Sequence, residues 1–230
     1  FDNGRGIPID IHPKFPEKTA LEVILCTLHA GGKFSNKSYS TSGGLHGVGI
    51  SVVNALSSEL KVEIFKNKDV YSQSFSEGCA LNKLEKIGRS QIKSGTKISF
   101  SPDKKIFSDN CYFNPEKIYE LAKSKAFLHS GVTIHWELDK DNAERYPAVP
   151  LSERLQFKDG LKDLIKANLN TQYNLTDNFF LGKVEFKEKF GEDTIGSVEW
   201  CAIFNSFNPF IKSFCNTIPT HDGGTHQQGF

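Results

Sequence analysis

The stretch GGLHGVG occupies residues 43–49 and runs directly into a helical pattern that places Ile50, Val53 and Leu56 on one face. Four of the seven residues are glycines. Because glycine lacks the Cβ atom that would hold phosphate oxygens away, several backbone N–H groups of this stretch can point at one anion near the positive end of a helix. The stretch therefore predicts a phosphate-binding loop. Taken alone, its glycines are equally compatible with a flexible surface loop.

The sequence does not match the motifs of two common phosphate-binding loops. A P-loop needs G-x-x-x-x-G-K-[ST], but Gly32-Lys33 is followed by Phe34, and Thr27 stands where the first glycine is required. A dinucleotide fold needs G-x-G-x-x-G after a strand, whereas residues 44–49 read G-x-x-G-x-G after a polar loop. If the stretch binds phosphate, it does so in another kind of site.

Two further stretches carry residues suited to a flat nitrogenous ring. In DNGRGIP, residues 2–8, the carboxylate of Asp2 can accept a hydrogen bond from an exocyclic amine, while Gly4 and Gly6 let the backbone approach the ring. Such a sequence is also typical of an ordinary turn. Thr96 follows Gly95 at the start of a predicted strand, and its hydroxyl either supports the same ring or faces solvent.

Composition indicates a globular chain. The 230 residues are 38% hydrophobic and 24% charged, with a net charge of +1, which argues against a protein that coats nucleic acid or a membrane surface. Five scattered cysteines without a C-x-x-C pair argue against a disulfide framework or a zinc site and favour a reducing cytoplasm. The chain contains no Met and opens inside a turn-like sequence. We therefore expect that an upstream segment has been left out.

Periodicity predicts an α+β chain. A helix is expected over residues 19–29, with an apolar face of Leu21, Ile24, Leu25 and Leu28, followed by a long polar loop over residues 31–44. A helix over 115–127 has Asn114 as N-cap and is expected to bury Ile118, Leu121 and Ala122. Alternation predicts strands around residues 60–64, 96–100, 132–136 and 198–204, and a further helix around 157–165. The polar, proline-containing residues 139–150 suggest a domain boundary.

The three candidate stretches together resemble the GHKL (Bergerat-fold) ATPases. The D-x-G-x-G of residues 2–6, the G-x-x-G-x-G of residues 44–49 and the later Gly95-Thr96 follow that family's order. Within it, residues 28–57, 130–132 and 218–230 are similar to the B subunits of bacterial type IIA DNA topoisomerases. HPK at residues 12–14 and FSNKSY at residues 34–39 favour the topoisomerase IV branch over gyrase.

The resemblance implies a fold and two domains. Residues 1–145 would form a Bergerat α/β sandwich that is N-terminally truncated. Residues 146–230 would form part of a smaller α/β transducer domain, similar to ribosomal S5 domain 2.

The resemblance also assigns roles to residues. Asp2 would hold the adenine amine, directly and through a water supported by Thr96. The base pocket would be lined by Gly6, Ile7 and Pro8, and the lid over the nucleotide would include Lys33 and Tyr39. The triphosphate would be wrapped by Gly44, Leu45, His46, Gly47, Val48, Gly49 and Ile50. His46 is expected to contact phosphate through its backbone, its imidazole either forming a hydrogen bond with the lid or facing solvent, and it is not assigned a catalytic role.

Several parts of the family's machinery are expected outside residues 1–230. The glutamate base and the Mg²⁺-binding asparagine would precede Phe1, and the lysine that reaches the γ-phosphate would follow Phe230, so no catalytic or metal-binding residue is named. We expect this polypeptide alone not to hydrolyse ATP and to dimerise poorly.

The function implied is that of a cytoplasmic, bacterial, ATP-driven clamp that powers DNA strand passage. Its cofactors would be ATP and Mg²⁺. Its partners would be DNA, the A subunit of topoisomerase IV in an A2B2 assembly, and aminocoumarin-type inhibitors. The alternatives are the B subunit of DNA gyrase, a nucleotide-binding regulatory module without strand passage, and a kinase or chaperone with the same fold.

Overall fold

The structure, a computed structural model, describes residues 1–30, 47–108, 111–190 and 192–230. Of residues 171, 187–190 and 192–195, only the backbone is described. The chain divides into two compact units, Phe1–Tyr112 and Phe113–Phe230, and each is described by itself. None of the helices in these ranges is long and apolar enough to cross a membrane.

The first unit is built on a five-stranded antiparallel sheet. Its elements are β1 (Ile11–His12), β2 (Phe15–Thr19), α1 (Ala20–Cys26), α2 (Gly49–Ala55), β3 (Ser57–Lys66), β4 (Asp69–Ser76), β5 (Cys79–Ala80), β6 (Glu85–Arg89), β7 (Ser94–Pro102) and α3 (Lys104–Phe107). The sheet order is β5-β4-β3-β7, with β6 also paired to β4, while β1 and β2 form a separate hairpin.

The core of this unit lies between α1 and one face of the sheet. Strand β3 alternates as predicted, because Leu60, Val62 and Ile64 are fully buried. Leu21 and Leu25 of α1 pack against these strand residues in the same cluster. The spacing of apolar residues thus correctly predicted which face of the strand meets the helix.

Helix α1 is shorter than expected. It begins after Thr19, whose hydroxyl accepts a hydrogen bond from the Glu22 N–H at 3.2 Å, and it ends at Cys26. The prediction that it continues to residue 29 is wrong, because Thr27 has an extended backbone with φ −129° and ψ 131°. Leu28 therefore leaves the apolar face and is 59% exposed.

The second unit contains one long helix and three separate strand pairs. Its elements are α4 (Pro115–Leu128), β8 (Ile134–Glu137), α5 (Lys140–Arg145), β9 (Ser152–Leu155), α6 (Leu161–Asn168), a 3₁₀ turn (Thr171–Tyr173), β10 (Phe180–Phe190), β11 (Glu192–Ala202), β12 (Phe214–Cys215), β13 (Ile218–Pro219) and α7 (Thr225–Gly229). The antiparallel pairs are β8 with β9, β10 with β11, and β12 with β13.

Helix α4 begins as predicted but buries a different face. The Asn114 side chain accepts a hydrogen bond from the Lys117 N–H at 3.1 Å. Ile118 and Leu121, expected to be buried, are 39% and 51% exposed. The helix buries Phe127 instead, whose ring stacks on Phe157 at 3.7 Å between centroids. Periodicity identifies an apolar face, whereas the neighbouring elements decide which part of it is covered.

The division into units falls after Tyr112, whereas the sequence predicts a boundary near residue 145. Helix α4 and strand β8, expected in the first domain, contact α6 and β9 in the second unit. A grouping by contacts does not define a family domain. The boundary at residue 145 stays a prediction.

A tyrosine between α4 and β9 provides a test of this packing. Tyr119 donates its hydroxyl hydrogen to the Glu153 carboxylate, and its ring lies 5.4 Å from that of Trp136. Burial, together with the hydrogen bond to Glu153, raises the pKa of Tyr119 from 10.0 to about 12. The neutral phenol is therefore the form that the fold stabilises.

We expect this stabilisation to be complete below pH ~10 and to be lost as the pH rises through ~12. In an ultraviolet titration of the six tyrosines, one should ionise late, and Tyr119→Phe should remove that late component. The control is Tyr112→Phe, since the Tyr112 side chain is exposed. If Tyr119→Phe removes a tyrosine that ionises at an ordinary pH, the hydrogen bond to Glu153 is wrong.

Candidate functional site

Asp2 and Thr96 are joined through their backbones. The N–H of Asp2 donates to the Thr96 carbonyl at 2.8 Å, and the N–H of Thr96 donates to the Asp2 carbonyl at 3.1 Å. This pair forms an isolated antiparallel bridge at the edge of β7. Two residues that the sequence separates by 94 positions are thus brought together.

The Asp2 carboxylate has a defined orientation. Its Oδ1 accepts a hydrogen bond from the Gly4 N–H at 2.8 Å, which is the local geometry of an Asx turn. Asp2 is exposed, whereas Thr96 is buried. The site therefore offers one accessible carboxylate beside one enclosed threonine.

Two glycines let the segment 2–6 lie directly on the sheet. Gly6 has φ +77°, and a Cβ there would lie 3.2 Å from the Gly95 carbonyl oxygen and 3.3 Å from Ile64 Cγ2. A Cβ on Gly95 would lie only 2.2 Å from the Asp2 carbonyl oxygen. Neither position accommodates a side chain unless the backbone moves. Glycine is therefore required at both positions, because segment 2–6 and the sheet approach each other closely there.

The two residues after Gly6 differ in their surroundings. Ile7 is half-buried and packs against the core cluster of the first unit, whereas Pro8 is exposed. Ile50, at the start of α2, packs against the same cluster. One core therefore supports both the predicted base pocket and the predicted phosphate segment.

The phosphate segment is described from Gly47 onwards. Gly47 has φ +61°, in the left-handed region, and α2 begins two residues later at Gly49. The Val48 carbonyl accepts hydrogen bonds from the Ser51 hydroxyl at 3.0 Å and from the Val52 N–H at 2.9 Å. Within the described part of the chain, no side chain caps the first turn of α2. Among those residues, the N–H groups at the start of α2 thus receive no side-chain cap, as a backbone anion site requires.

The remaining predicted site residues lie outside the described residues. They are Lys33, Tyr39, Gly44, Leu45 and His46. Their roles in the lid and around the triphosphate stay predictions. The structure thus brings together Asp2, Gly6 and Thr96, and it describes Gly47–Ile50 by their own geometry.

Two residues of this region receive no role from the sequence alone. Gly95 is only the neighbour of Thr96 in the motif, yet it is the residue that admits the Asp2 backbone. Asn54 belongs to no motif, although it is fully buried and its amide contacts the Leu25 carbonyl. The signal for Asn54 is a lone amide between Val53 and Ala55 on an apolar helix.

A cavity of the described chain lies away from these residues. In the second unit, an open cavity of about 340 Å³ is lined by Val198, Trp200, His226, Gly229 and Phe230, none of which is a predicted nucleotide residue. Among the residues that the structure describes, no group of three or more His, Cys, Asp or Glu side chains could hold a metal ion.

Comparison with known families decides the relationship. Residues 1–106 match the histidine kinase-, DNA gyrase B- and HSP90-like ATPase family, and residues 160–230 match the DNA gyrase B family. The chain is 50% identical over 231 residues to the B subunit of DNA topoisomerase 4 from Rickettsia conorii, a match that covers 100% of this chain and 34% of the relative. Over its whole length this chain is homologous to the B subunits of bacterial type II DNA topoisomerases. The resemblance found in the sequence is confirmed.

Other members of the family are similar over the same length. The DNA gyrase B subunit of Spiroplasma citri is 41% identical over 233 residues, which cover 100% of this chain and 34% of that protein. The chain therefore spans about a third of the length of these curated relatives.

Solved structures of the family have the same fold. The 43K ATPase domain of Thermus thermophilus gyrase B, in complex with an aminocoumarin, matches with a TM-score of 0.74 and 32% identity over 99% of this chain and 54% of that one. The ATP-binding domain of Francisella tularensis topoisomerase IV, with a small-molecule inhibitor, matches with a TM-score of 0.61 and 30% identity over 95% and 52%. The predicted GHKL fold class is thereby confirmed.

Proposed function

We propose that the chain binds ATP and is the nucleotide-binding part of a topoisomerase IV B subunit. The observation that carries the proposal is the Asp2–Thr96 bridge, which holds an accessible carboxylate beside a buried threonine. Gly6 and Gly95 allow this bridge to form close to the sheet. Such a site suits a planar base with an exocyclic amine.

Each residue has a distinct task in adenine recognition. Asp2 accepts a hydrogen bond from the adenine amine, and its own bond to the Gly4 N–H limits the rotation of the carboxylate. Thr96 supports the same edge of the ring through a water. Gly6, Ile7 and Pro8 line the ring face, where the absence of a Cβ on Gly6 permits contact with the backbone.

The triphosphate would lie at the start of α2. Gly47, Val48, Gly49 and Ile50 would present backbone N–H groups, which bind anions without a side-chain charge. Lys33, Tyr39, Gly44, Leu45 and His46 would complete the enclosure, as the sequence predicts.

Mg²⁺ would neutralise phosphate charge when bound. Among the described residues, no group of three or more His, Cys, Asp or Glu side chains could hold a metal ion, so no Mg²⁺ ligand is assigned there.

In the whole protein, nucleotide binding would drive a clamp. ATP would favour dimerisation of two B subunits around a DNA segment, and hydrolysis would reopen them, so that strand passage is coupled to the nucleotide state. DNA and the topoisomerase IV A subunit would be the partners in the cytoplasm. Decatenation of linked DNA circles by the full-length protein together with its A subunit, dependent on ATP, tests this part of the proposal.

Topoisomerase IV is favoured over gyrase by identity, at 50% against 41% for the respective relatives. The assay separates them, because decatenation without ATP-dependent negative supercoiling supports topoisomerase IV. A regulatory module without strand passage would bind ATP but show neither reaction.

Replacement of Asp2 by asparagine tests the adenine role. The variant keeps the Oδ1 acceptor for the Gly4 N–H, but it places an amide in the position of a carboxylate oxygen. We expect ATP and aminocoumarin binding to weaken by at least about tenfold, since a lost hydrogen bond to a charged group costs ~1.5–3 kcal/mol. Isothermal titration calorimetry measures both affinities.

The matched control is Asp10→Asn in the same unit. Asp10 is 79% exposed and forms a surface ion pair with Lys66 at 3.3 Å, so its replacement should leave both affinities unchanged. Unchanged ATP affinity in Asp2→Asn would remove Asp2 from the adenine site.

A further inference from the structure

We propose that Asn54 is a positioning residue for the phosphate end of the nucleotide site. Its buried side-chain amide joins α2 to the C-terminal end of α1, and it thereby sets the location of the predicted phosphate residues Gly49 and Ile50. The inference rests on the proposed ATP binding and adds a residue to it.

Helix α2 is too short to define its own position. It has seven residues, no capping side chain at its start among the described residues and no basic residue in its last turn. Isolated helices shorter than ~12–15 residues are marginal in water, so tertiary contacts supply most of their stability. The contacts that α2 makes with α1 and the sheet therefore determine where its first turn lies.

Asn54 makes the polar contact between the two helices. Its Nδ2 donates to the Leu25 carbonyl at 3.0 Å and lies 3.9 Å from Cys26 Sγ. The last four carbonyls of a helix lack a partner within it, and the Thr27 N–H uses only that of Val23. Asn54 thus satisfies a buried carbonyl that α1 itself leaves open.

The backbone of Asn54 is held as well. The Gly78 N–H, in the turn between β4 and β5, donates to the Asn54 carbonyl at 3.2 Å. Asn54 is therefore the point at which α1, α2 and that turn meet. A shift at Asn54 moves α2 as a whole, including Gly49 five residues earlier.

An amide at this buried position is not explained by packing alone. Asn54 is fully buried, and its Oδ1 has no hydrogen-bond partner among the described residues. An unpaired buried acceptor is unfavourable, and an apolar side chain of similar size would avoid that cost but leave the Leu25 carbonyl without this donor. What the amide adds is the directional bond to Leu25.

The same core contains a matched control. Gln73 of β4 is also buried, its Nε2 donates to the Asn82 carbonyl at 2.9 Å, and its Oε1 lacks a partner within the described ranges. It differs from Asn54 in joining β4 to a residue beyond β5 rather than joining α1 to α2. Gln73→Leu therefore removes a comparable buried bond without releasing α2.

The experiment compares ligands with and without phosphates. In the full-length protein, calorimetry measures the affinities of a non-hydrolysable ATP analogue and of adenosine for wild type, Asn54→Leu and Gln73→Leu. We expect Asn54→Leu to weaken binding of the analogue about tenfold and binding of adenosine less than about twofold. The reason is that the substitution removes one hydrogen bond that positions the phosphate residues. Gln73→Leu should leave the ratio of the two affinities unchanged.

An equal loss for both ligands in Asn54→Leu would overturn the positioning role, because a general loss of structure has no preference for phosphate. Unchanged affinities would overturn it too. If Asn54→Leu does not fold, the smaller Asn54→Ser, which cannot reach Leu25, replaces it with the same expected ratio. Failure of the wild type to bind the analogue would overturn the proposed ATP binding itself, and with it this inference.

Discussion

Gly95→Ala is expected to abolish high-affinity ATP binding, with a loss of about a hundredfold or more. The added Cβ would lie 2.2 Å from the Asp2 carbonyl oxygen, so the segment that carries Asp2 must move away from β7. Both hydrogen bonds of the Asp2–Thr96 bridge are then lost. The substitution thus removes the carboxylate and the threonine from the adenine site together, which is more than Asp2→Asn removes.

Calorimetric titration with an ATP analogue measures this loss. Gly88→Ala on β6 is the control, because a Cβ at Gly88 meets no atom of the described residues within 4 Å. Circular dichroism establishes that the sheet is retained in both variants. Wild-type affinity in Gly95→Ala would mean that the bridge does not place the base.

Phe75→Ala is expected to have the largest effect on stability. Phe75 is fully buried on β4 and belongs to the cluster formed with Leu60 and Leu25. Replacement of a buried phenylalanine by alanine costs ~3–5 kcal/mol, through lost apolar burial and the cavity that remains. Since domains are stable by only ~5–15 kcal/mol, much of the free energy of unfolding would be removed.

Urea denaturation followed by circular dichroism measures that free energy. The control is Phe100→Ala, since Phe100 lies opposite Leu60 on β7 but is 42% exposed. We expect Phe100→Ala to lose roughly three-fifths as much, in proportion to the smaller buried area. Equal losses would mean that Phe75 does not lie in the core.

The packing within the two units limits what periodicity can predict. Alternation in β3 identifies the buried residues Leu60, Val62 and Ile64 correctly, because one face of a strand meets the core along its whole length. The same reasoning fails for Leu121 of α4, since a helix face is covered only where a neighbour lies against it. Such neighbours are distant in sequence, and no local pattern encodes them.

In the candidate site, too, the sequence identifies some residues and misses others. Asp2, Gly6 and Thr96 are identified by their resemblance to a family motif, and the structure brings them together. Asn54 is not identified in this way, because its contact is a carbonyl 29 residues earlier. Every residue carries a backbone carbonyl, so the sequence does not reveal which carbonyl a side chain will contact.

The sequence by itself determined the family, the inverse glycine order of residues 44–49 and the residues expected to meet adenine. These features depend on residue identity and local spacing, which can be read directly from the sequence. Only the tertiary structure decided that Gly95 admits the Asp2 backbone and that Asn54 joins α1 to α2. The reason is physical, since close approach and buried hydrogen bonds are properties of atoms that meet only after the chain has folded.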